Sequence, residues 1–189
     1  MAKSGQIFVI SAPSGCGKTT ISKRVLRRAG NLTPSVSMTT RKPRRNEKNT
    51  KDYFYVSKKR FKEKIKKGAF LEWENNFGHF YGTPKSFALK NIKNGRDLLL
   101  SIDVKGAMQV RKRFPESTLI FIKPPSVKEL LRRLKGRRTD ASGEIEKRIK
   151  IAKKELGYAP QYDYVVLNKD LGKAVKKVVE IIAKERKGK

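Results

Sequence analysis

Cysteine is almost absent from this chain of 189 residues, and the single one, Cys16, has no second thiol with which to form an internal disulfide. This excludes the disulfide-stabilised folds of small secreted proteins. The first residues pass into a short apolar run without the longer hydrophobic region of a signal peptide. The longest apolar runs, such as 7–10 and 98–100, are far shorter than the roughly 18 residues that span a bilayer. We therefore expect a cytoplasmic protein with no membrane span.

Acidic residues are also scarce: 17 of them face 47 lysines and arginines, which gives a formal net charge of +30. Such an excess raises the question of a polyanionic partner such as nucleic acid. The lysines, however, follow the polar faces of predicted helices, as at 58–67 and 173–177, and are not interleaved with exposed aromatic residues. A solvated surface is the favoured interpretation, and nucleic-acid binding stays as an alternative.

Short apolar runs alternate with helix-like segments along much of the chain. The run at 6–11 ends in a turn rich in Pro, Ser and Gly, and a helix is expected from 18 to about 29. Similar runs lie at 97–102, 118–122 and 164–167, each followed by a helical pattern. This alternation predicts a parallel sheet wrapped by helices, that is, a doubly wound α/β core.

Two segments interrupt this alternation. Residues 35–81 contain aromatic-rich strand patterns at 53–56 and 70–73 on either side of a lysine-rich helix, which predicts an inserted α+β lobe. Residues 136–143 form a polar, turn-rich break between two helical patterns, with arginines on both sides. We interpret this break as a mobile lid. Fraying is expected from residue 184 to the end.

A glycine-rich segment joins the first predicted strand to the first predicted helix. It reads Ala12-Pro13-Ser14-Gly15-Cys16-Gly17-Lys18-Thr19. At such a junction, backbone N–H groups and a helix N-terminus face an anion, as in an ATP-binding P-loop. Lys18 would bring its charge to the β and γ phosphate oxygens, and Thr19 would offer a hydroxyl to Mg²⁺. Ala12 departs from the usual opening glycine, and Cys16 is read as a small loop residue and not as a nucleophile.

A second group of cations follows in the segment 37–44. Arg41 and Arg44 lie three residues apart in a proline-containing loop, a spacing that suits bidentate binding of a second phosphate group. The P-loop alone does not identify the acceptor, because GTPases, ATPases and many small-molecule kinases share it. These arginines therefore carry the first information about the acceptor.

Four motifs follow the P-loop in order: Ser-x-Thr-Thr-Arg-x-Pro-Arg from Ser37, Asp-Tyr-x-x-Val from Asp52, Phe-x-Glu-Trp from Phe70 and Tyr-Gly-Thr from Tyr81. Together with the P-loop, they resemble guanylate kinase, and the similarity spans residues 6–183. The resemblance implies an ATP- and Mg²⁺-dependent nucleoside-monophosphate kinase that converts GMP to GDP. The resemblance leaves open whether dGMP is also an acceptor and whether the protein is a monomer or a homodimer.

By the same resemblance, one set of residues would hold the GMP phosphate and another would read the guanine. The first set is Arg41, Arg44, Tyr53 and Tyr81; the second is Ser37, Glu72 and Thr83, with Asp103 also at the GMP site. Guanine presents N1–H and the N2 amino group side by side, and a carboxylate accepts from both, whereas adenine offers an acceptor at N1. Sites of this kind reject the wrong analogue by roughly 10⁴ to 10⁵.

Three of these residues also have a plain structural interpretation. Glu72 could be a surface carboxylate on an edge strand, although its neighbours are apolar. Tyr53 and Tyr81 could be half-buried aromatics of a small sheet. His79, the one histidine, is interpreted as an exposed loop residue, because an ionised phosphate oxygen needs no strong general base.

The remaining candidates lie at strand ends and in the predicted lid. Asp103 follows the strand 97–102, where a doubly wound sheet places a carboxylate at the nucleotide cleft. The resembled family usually has a second acidic residue where this chain has Ser101, so no role is assigned there. Asn168 resembles the family residue near the adenine of ATP, and a turn residue that starts the last helix is the alternative.

The resemblance assigns catalysis to Lys18, Arg41, Asp103, Arg137 and Arg148. An arginine over the transferring phosphoryl group is worth about 10³ to 10⁵ in rate. Arg138 stands where the family more often has glycine, and its role is left unassigned.

The predicted fold is α/β, a P-loop doubly wound parallel-sheet core with an inserted small α+β GMP-binding lobe and a helical lid. A single guanylate-kinase-like domain spans residues 1–189, with the core at 5–34, 84–135 and 157–184, the lobe at 35–83 and the lid at 136–156. Three alternatives are kept: a non-catalytic module of the same family, which would lack the P-loop lysine, a nucleic-acid-binding protein, and a kinase of another monophosphate.

Overall fold

Two β-sheets organise the chain in a computed structural model, which describes residues 4–44, 47–76, 78–135 and 142–188. The strands are Ile7–Ser11 (β1), Leu32–Pro34 (β2), Met38–Thr39 (β3), Phe54–Tyr55 (β4), Phe70–Asn76 (β5), His79–Pro84 (β6), Asp97–Ile102 (β7), Thr118–Lys123 (β8) and Tyr164–Leu167 (β9). The helices are Lys18–Arg28 (α1), Lys58–Lys66 (α2), Lys85–Lys93 (α3), Val104–Arg113 (α4), Val127–Lys135 (α5), Ser142–Leu156 (α6) and Leu171–Lys187 (α7). None of the helices in these ranges combines the length and the apolar composition needed to cross a membrane.

The larger sheet is parallel and carries helices on both faces. Its strand order is β2-β7-β1-β8-β9. Phe8 and Ile10 of β1 belong to the hydrophobic cluster that includes α1 and α7, whereas Val9 belongs to the one that includes α4. Because both faces are covered, β1 is buried at every position. The predicted doubly wound α/β fold is confirmed.

The register of this sheet places two loops side by side. β1 pairs with β7 so that Ser11 lies opposite Ile102. Parallel strands end at the same edge of a sheet, so the segment 12–19 and Asp103 leave that edge as neighbours. The chain also crosses from one side of β1 to the other between β7 and β8, and ligands of doubly wound sheets bind at such a point.

The smaller sheet has the strand order β4-β3-β6-β5. β3 runs parallel to β4, and β6 runs antiparallel to β3 and β5. Helix α2 covers this sheet through Phe61, whose ring stacks on those of Phe70 and Phe80 at centroid distances of 4.4 and 5.3 Å. These elements are the α+β segment that the sequence places in an inserted lobe, and the boundaries of that lobe stay a prediction.

Some strands are not evident from the sequence. β2 and β3 are too short to show alternation, and β6 contains Gly82 and Pro84, which are uncommon inside strands. One interpretation is wrong for this reason. His79 is not an exposed loop residue but the half-buried first residue of β6, paired with Asn76 of β5.

The end of α7 is fixed to the large sheet by Arg186. Its Nε donates to Asp97 Oδ2 at 2.7 Å, and its second terminal nitrogen donates to the Gly30 carbonyl at 2.7 Å. Asp97 also accepts from the Gln6 N–H at 2.8 Å. The expectation of fraying from residue 184 is therefore wrong for this helix, which continues to Lys187.

Replacement of Arg186 by Met is expected to lower the free energy of unfolding by about 1–3 kcal/mol, because the Asp97 side chain, only 8% exposed, loses its cation. The loss stays below the about 3–5 kcal/mol of a fully buried pair, since Arg186 is 29% exposed. Urea unfolding followed by circular dichroism measures it. Lys187→Met removes the same charge from an exposed site, and an equal loss in both variants would contradict the prediction.

Candidate active site

The segment 12–19 forms a compact anion-binding loop between β1 and α1. Gly15 and Gly17 have φ values of +89° and +87°, a left-handed conformation that glycine adopts without steric strain. Gly17 directly precedes the first residue of α1, so the helix N-terminus opens onto the loop. A pocket of about 150 Å³ lies there and is lined by Pro13, Gly15, Gly17, Lys18, Thr19 and Thr20. The loop thus has the backbone geometry of a P-loop despite Ala12 at its start.

Asn168 braces the P-loop from behind. Its Nδ2 donates to the Cys16 carbonyl at 2.8 Å, and the side chain is buried. A Cβ at position 17 would lie 2.8 Å from the same nitrogen, so glycine is required there for packing as well as for conformation. The alternative that Asn168 starts the last helix is wrong, because Asp170 caps α7 by accepting from the Lys173 N–H at 2.7 Å. Contact with adenine stays a prediction.

The Cys16 thiol is buried inside the loop. Burial raises the pKa of Cys16 to about 12, against the opposing charges of Arg133 and Lys18. A thiol with so high a pKa is not a nucleophile at neutral pH. This agrees with its interpretation as a small loop residue.

Lys18 and Asp103 form an ion pair at the edge of the large sheet. Lys18 Nζ lies 2.7 Å from Asp103 Oδ1, and the side chains are 19% and 37% exposed. Asn76 donates its Nδ2 to Asp103 Oδ2 at 2.6 Å. Burial acts against ionisation of Asp103, but the charge and hydrogen bond of Lys18, with the Asn76 hydrogen bond, hold its pKa below the ordinary value. Asp103 is therefore ionised, as its ion pair with Lys18 requires.

Ser101 stands on β7 at the position where the resembled family usually has a second acidic residue. It accepts a hydrogen bond from the Ser22 hydroxyl of α1 at 3.1 Å. This hydroxyl pair joins β7 to α1 and carries no charge, so Asp103 is the acidic side chain at this strand end.

Arg41 lies at the centre of the residues predicted to bind the second phosphate. Its guanidinium carbon is 5.6 Å from the ring centroid of Tyr53, and that ring lies 6.1 Å from the ring of Tyr81. Burial acts against the charge of Arg41, but the hydrogen bonds that its guanidinium donates to Glu47 and Tyr81 raise its pKa above the ordinary value. The structure thus brings together Arg41, Tyr53 and Tyr81 of the predicted phosphate set, whereas the Arg44 side chain is exposed.

Glu47 holds Arg41 in place and was not evident from the sequence. Arg41 donates to both of its oxygens at 2.9 and 2.8 Å, and the Tyr55 hydroxyl and the Arg44 N–H donate at 2.8 and 2.9 Å. Burial acts against ionisation of Glu47, but these donors lower its pKa below the ordinary value. The pairing could have been predicted from the position of Glu47, because a carboxylate that follows several arginines and lysines is expected to pair with one of the arginines.

Glu72 is a buried carboxyl, only 3% exposed, and not the surface residue considered as the alternative. β5 is an edge strand of the small sheet, but α4 packs on it. Gly106 of α4 makes this possible, because a Cβ there would lie 2.7 Å from Glu72 Oε2. Thr83 donates both its N–H and its hydroxyl to Glu72 Oε1, at 3.0 and 2.7 Å. Burial raises the pKa of Glu72 to about 7, and the Thr83 hydrogen bonds oppose that shift.

The remaining predicted residues are placed less completely. Ser37 is half-buried just before β3, and its carbonyl accepts from the Phe54 N–H at 2.9 Å. Arg148 is half-buried on α6. Arg137 and Arg138, with the rest of residues 136–141 at the start of the predicted lid, lie outside the described residues.

α6 also brings a carboxyl to the P-loop that the sequence did not indicate. Burial, and then the charge of Asp103, raise the pKa of Glu155 to about 7, while Lys18 and the Ser14 N–H oppose the shift. These influences place Glu155 beside the P-loop. No local pattern predicts this placement, because Glu155 lies far from the P-loop along the chain.

The Thr19 hydroxyl is the predicted oxygen ligand for Mg²⁺ at the P-loop. Within the described ranges, no group of three or more His, Cys, Asp or Glu side chains gathers as a metal site would require. Thr19 is exposed at the start of α1, and its hydroxyl is the hard oxygen ligand that Mg²⁺ prefers. Mg²⁺ takes few protein ligands and several phosphate and water oxygens in such sites, which this single hydroxyl fits.

Comparison with known proteins identifies the family. The family model for guanylate kinase matches residues 4–185. The chain is 48% identical over 184 residues to a guanylate kinase of Caldanaerobacter subterraneus subsp. tengcongensis, covering 97% of this chain and 89% of that protein. It is 49% identical over 183 residues to one of Wolbachia sp. subsp. Brugia malayi, covering 96% and 94%.

A solved structure agrees with this assignment. The crystal structure of guanylate kinase from Anaplasma phagocytophilum matches with a TM-score of 0.82 at 35% identity, over 98% of this chain and 88% of that one. The chain belongs to the guanylate kinase family.

Proposed function

We propose that this chain catalyses ATP + GMP ⇌ ADP + GDP through the residues described above. The observation that carries the proposal is Glu72, a buried carboxyl fixed by Thr83 and close enough to Lys18 and Asp103 for their charges to affect its pKa. The proposed guanine-reading carboxyl thus lies close enough to the proposed phosphate-binding lysine for the two to interact electrostatically.

The donor half of the reaction belongs to the P-loop. Its backbone N–H groups and the N-terminus of α1 would hold the phosphates of ATP, and Lys18 would turn from Asp103 to their β and γ oxygens. Thr19 would hold Mg²⁺, which supplies charge neutralisation of the phosphates when bound. Arg137 and Arg148 would add cations over the transferring group, and Asn168 would keep the loop in shape.

The acceptor half belongs to the small sheet. Arg41, Tyr53 and Tyr81 would bind the GMP phosphate, with Arg44 joining from its exposed position, while Glu72, Thr83 and Ser37 would read the guanine. A phosphate oxygen of GMP forms a bond to the γ-phosphorus as the bond from that phosphorus to the β–γ bridging oxygen breaks. The nucleophile is already ionised, so positioning and charge neutralisation supply the catalysis, with no covalent enzyme intermediate.

Several finer statements belong to the same proposal. The lobe and the lid would close over the two polyanions and exclude water. dGMP is a further acceptor to test, the compartment is the cytoplasm, and the assembly is a monomer or a homodimer.

A non-catalytic module would lack the P-loop lysine, whereas Lys18 is present and paired. Salt-dependent DNA binding compared with kinase activity would separate nucleic-acid binding from catalysis.

The purified protein with ATP and Mg²⁺ is expected to phosphorylate GMP far faster than AMP, CMP or UMP in a coupled ADP assay.

Glu72→Gln is expected to lower kcat/KM for GMP by about 10² to 10⁴. It should also weaken the preference for guanine over the other bases, because the amide N–H of the glutamine would face the N–H donors of guanine. Glu74→Gln on the same strand is the control, since Glu74 pairs with Lys105, whose side chain is 71% exposed. Unchanged selectivity in Glu72→Gln would contradict the assignment.

The pH dependence of GMP use should follow Glu72. Its pKa is raised to about 7 and guanine needs the carboxylate, so kcat/KM for GMP should fall about tenfold for each pH unit below 7 and level off above it. The second pKa of the GMP phosphate itself is about 6. Glu72→Gln should therefore lose the fall near pH 7 and keep only the one near pH 6; a profile shared by both proteins would refute the role of Glu72.

Glu47→Gln should raise KM for GMP by about 10- to 100-fold with a smaller change in kcat, because Arg41 loses the charged partner that orients it. Steady-state kinetics at saturating ATP measure the effect. Glu63→Gln makes the same chemical change at an exposed position of α2 and serves as the control. Tighter GMP binding in Glu47→Gln would show instead that Glu47 occupies the place of the phosphate.

A further inference from the structure

One hydrogen bond joins the small sheet to the ion pair of the P-loop lysine. Asn76, the last residue of β5, donates its Nδ2 to Asp103 Oδ2 at 2.6 Å. The other oxygen of the same carboxylate accepts from Lys18 Nζ at 2.7 Å. The P-loop, the end of β7 and the guanine-reading strand therefore meet at a single side chain, Asp103.

The place of Asn76 follows from the way α4 lies along β5. Side chains alternate along a strand, so Glu72, Glu74 and Asn76 share one face. The chain around α4 meets that face in reverse order: Asp103 contacts Asn76, Lys105 contacts Glu74, and Gly106 lies against Glu72. Asn76 is thus set by the same packing that buries the guanine-reading carboxyl.

We infer that Asn76 is a positioning residue that orients Asp103 when ATP draws Lys18 away, and that it thereby couples the two nucleotide sites. The inference rests on the proposed function, which assigns Lys18 to the phosphates of ATP. Once Lys18 leaves, Asp103 loses its cation on Oδ1, and the Asn76 amide keeps Oδ2 in place. Oδ1 is then free to accept from a hydroxyl or amino group of the GMP nucleoside.

An amide suits this task because it donates without carrying charge. A lysine or arginine at position 76 would compete with Lys18 for Asp103, and an aspartate would repel it. The neutral donor fixes the plane of the carboxylate in both states of Lys18. ATP at the P-loop should therefore strengthen GMP binding, and Asn76 should be needed for that increase.

The test measures GMP binding with and without a β,γ-imido analogue of ATP and Mg²⁺, using the fluorescence of Trp73, the one tryptophan of the chain, which lies on β5. Asn76→Ala should weaken GMP binding by about tenfold in the presence of the analogue and by less than about threefold in its absence. Asn76→Asp should weaken GMP binding further, because it places a second carboxylate against that of Asp103. Asn75→Ala alters the neighbouring exposed residue and should match the unmodified protein.

Asp103→Asn separates the inference from the proposed function. If Asp103→Asn leaves GMP binding and kcat unchanged, the role proposed for Asp103 fails. If Asp103→Asn impairs both while Asn76→Ala behaves like Asn75→Ala, the positioning role of Asn76 is overturned and the proposed function stands. Equal weakening by Asn76→Ala with and without the analogue would also overturn it, since that is the effect of a general loss of structure.

Discussion

The parallel pairing of β1 with β7 is the constraint on which the site depends. It sets Ser11 opposite Ile102, so the P-loop that follows β1 and the Asp103 that follows β7 begin side by side. The 2.7 Å contact between Lys18 and Asp103 is a consequence. Side chains of a strand alternate between faces, so a slip of one residue would exchange the buried and cleft-facing positions of β7. Apolar residues that fill the core thus also fix where the charges of the site lie.

Helix α4 covers the open edge of the small sheet. The Gln109 side-chain amide pairs with the outward-facing backbone of Trp73 on β5. It donates to the Trp73 carbonyl at 2.7 Å and accepts from the Trp73 N–H at 3.3 Å. Gly106 lets the helix approach Glu72 without a side chain between them. Burial of Glu72 follows, and with it the raised pKa, because the approach of α4 excludes water from the carboxyl.

Sequence patterns predicted the parts of the site that depend on local chemistry. The P-loop is a contiguous motif, and β7 and β9 are apolar runs whose predicted bounds match the structure. The burial of Glu72 could not be predicted, because it depends on a helix some thirty residues away, as does the contact of Asn76 with Asp103. Asn168 shows the same limit: its buried bond to the Cys16 carbonyl joins residues 152 apart in the chain. Long-range packing, which leaves no periodic signal, decided these positions.

Resident carboxylates prepare the two cations on which the proposed reaction depends. Lys18 faces Asp103 and Arg41 faces Glu47, whereas most lysines of α2 and α7 are exposed to solvent. A paired cation is ordered before substrate arrives, so less freedom is lost on binding. The pairs differ in kind. An ammonium on a flexible stem can exchange one anion for another, whereas a guanidinium has five N–H donors and can keep its carboxylate while it adds a phosphate. In the proposed reaction, Lys18 would therefore be the cation that changes partner, and Arg41 the one that stays in place.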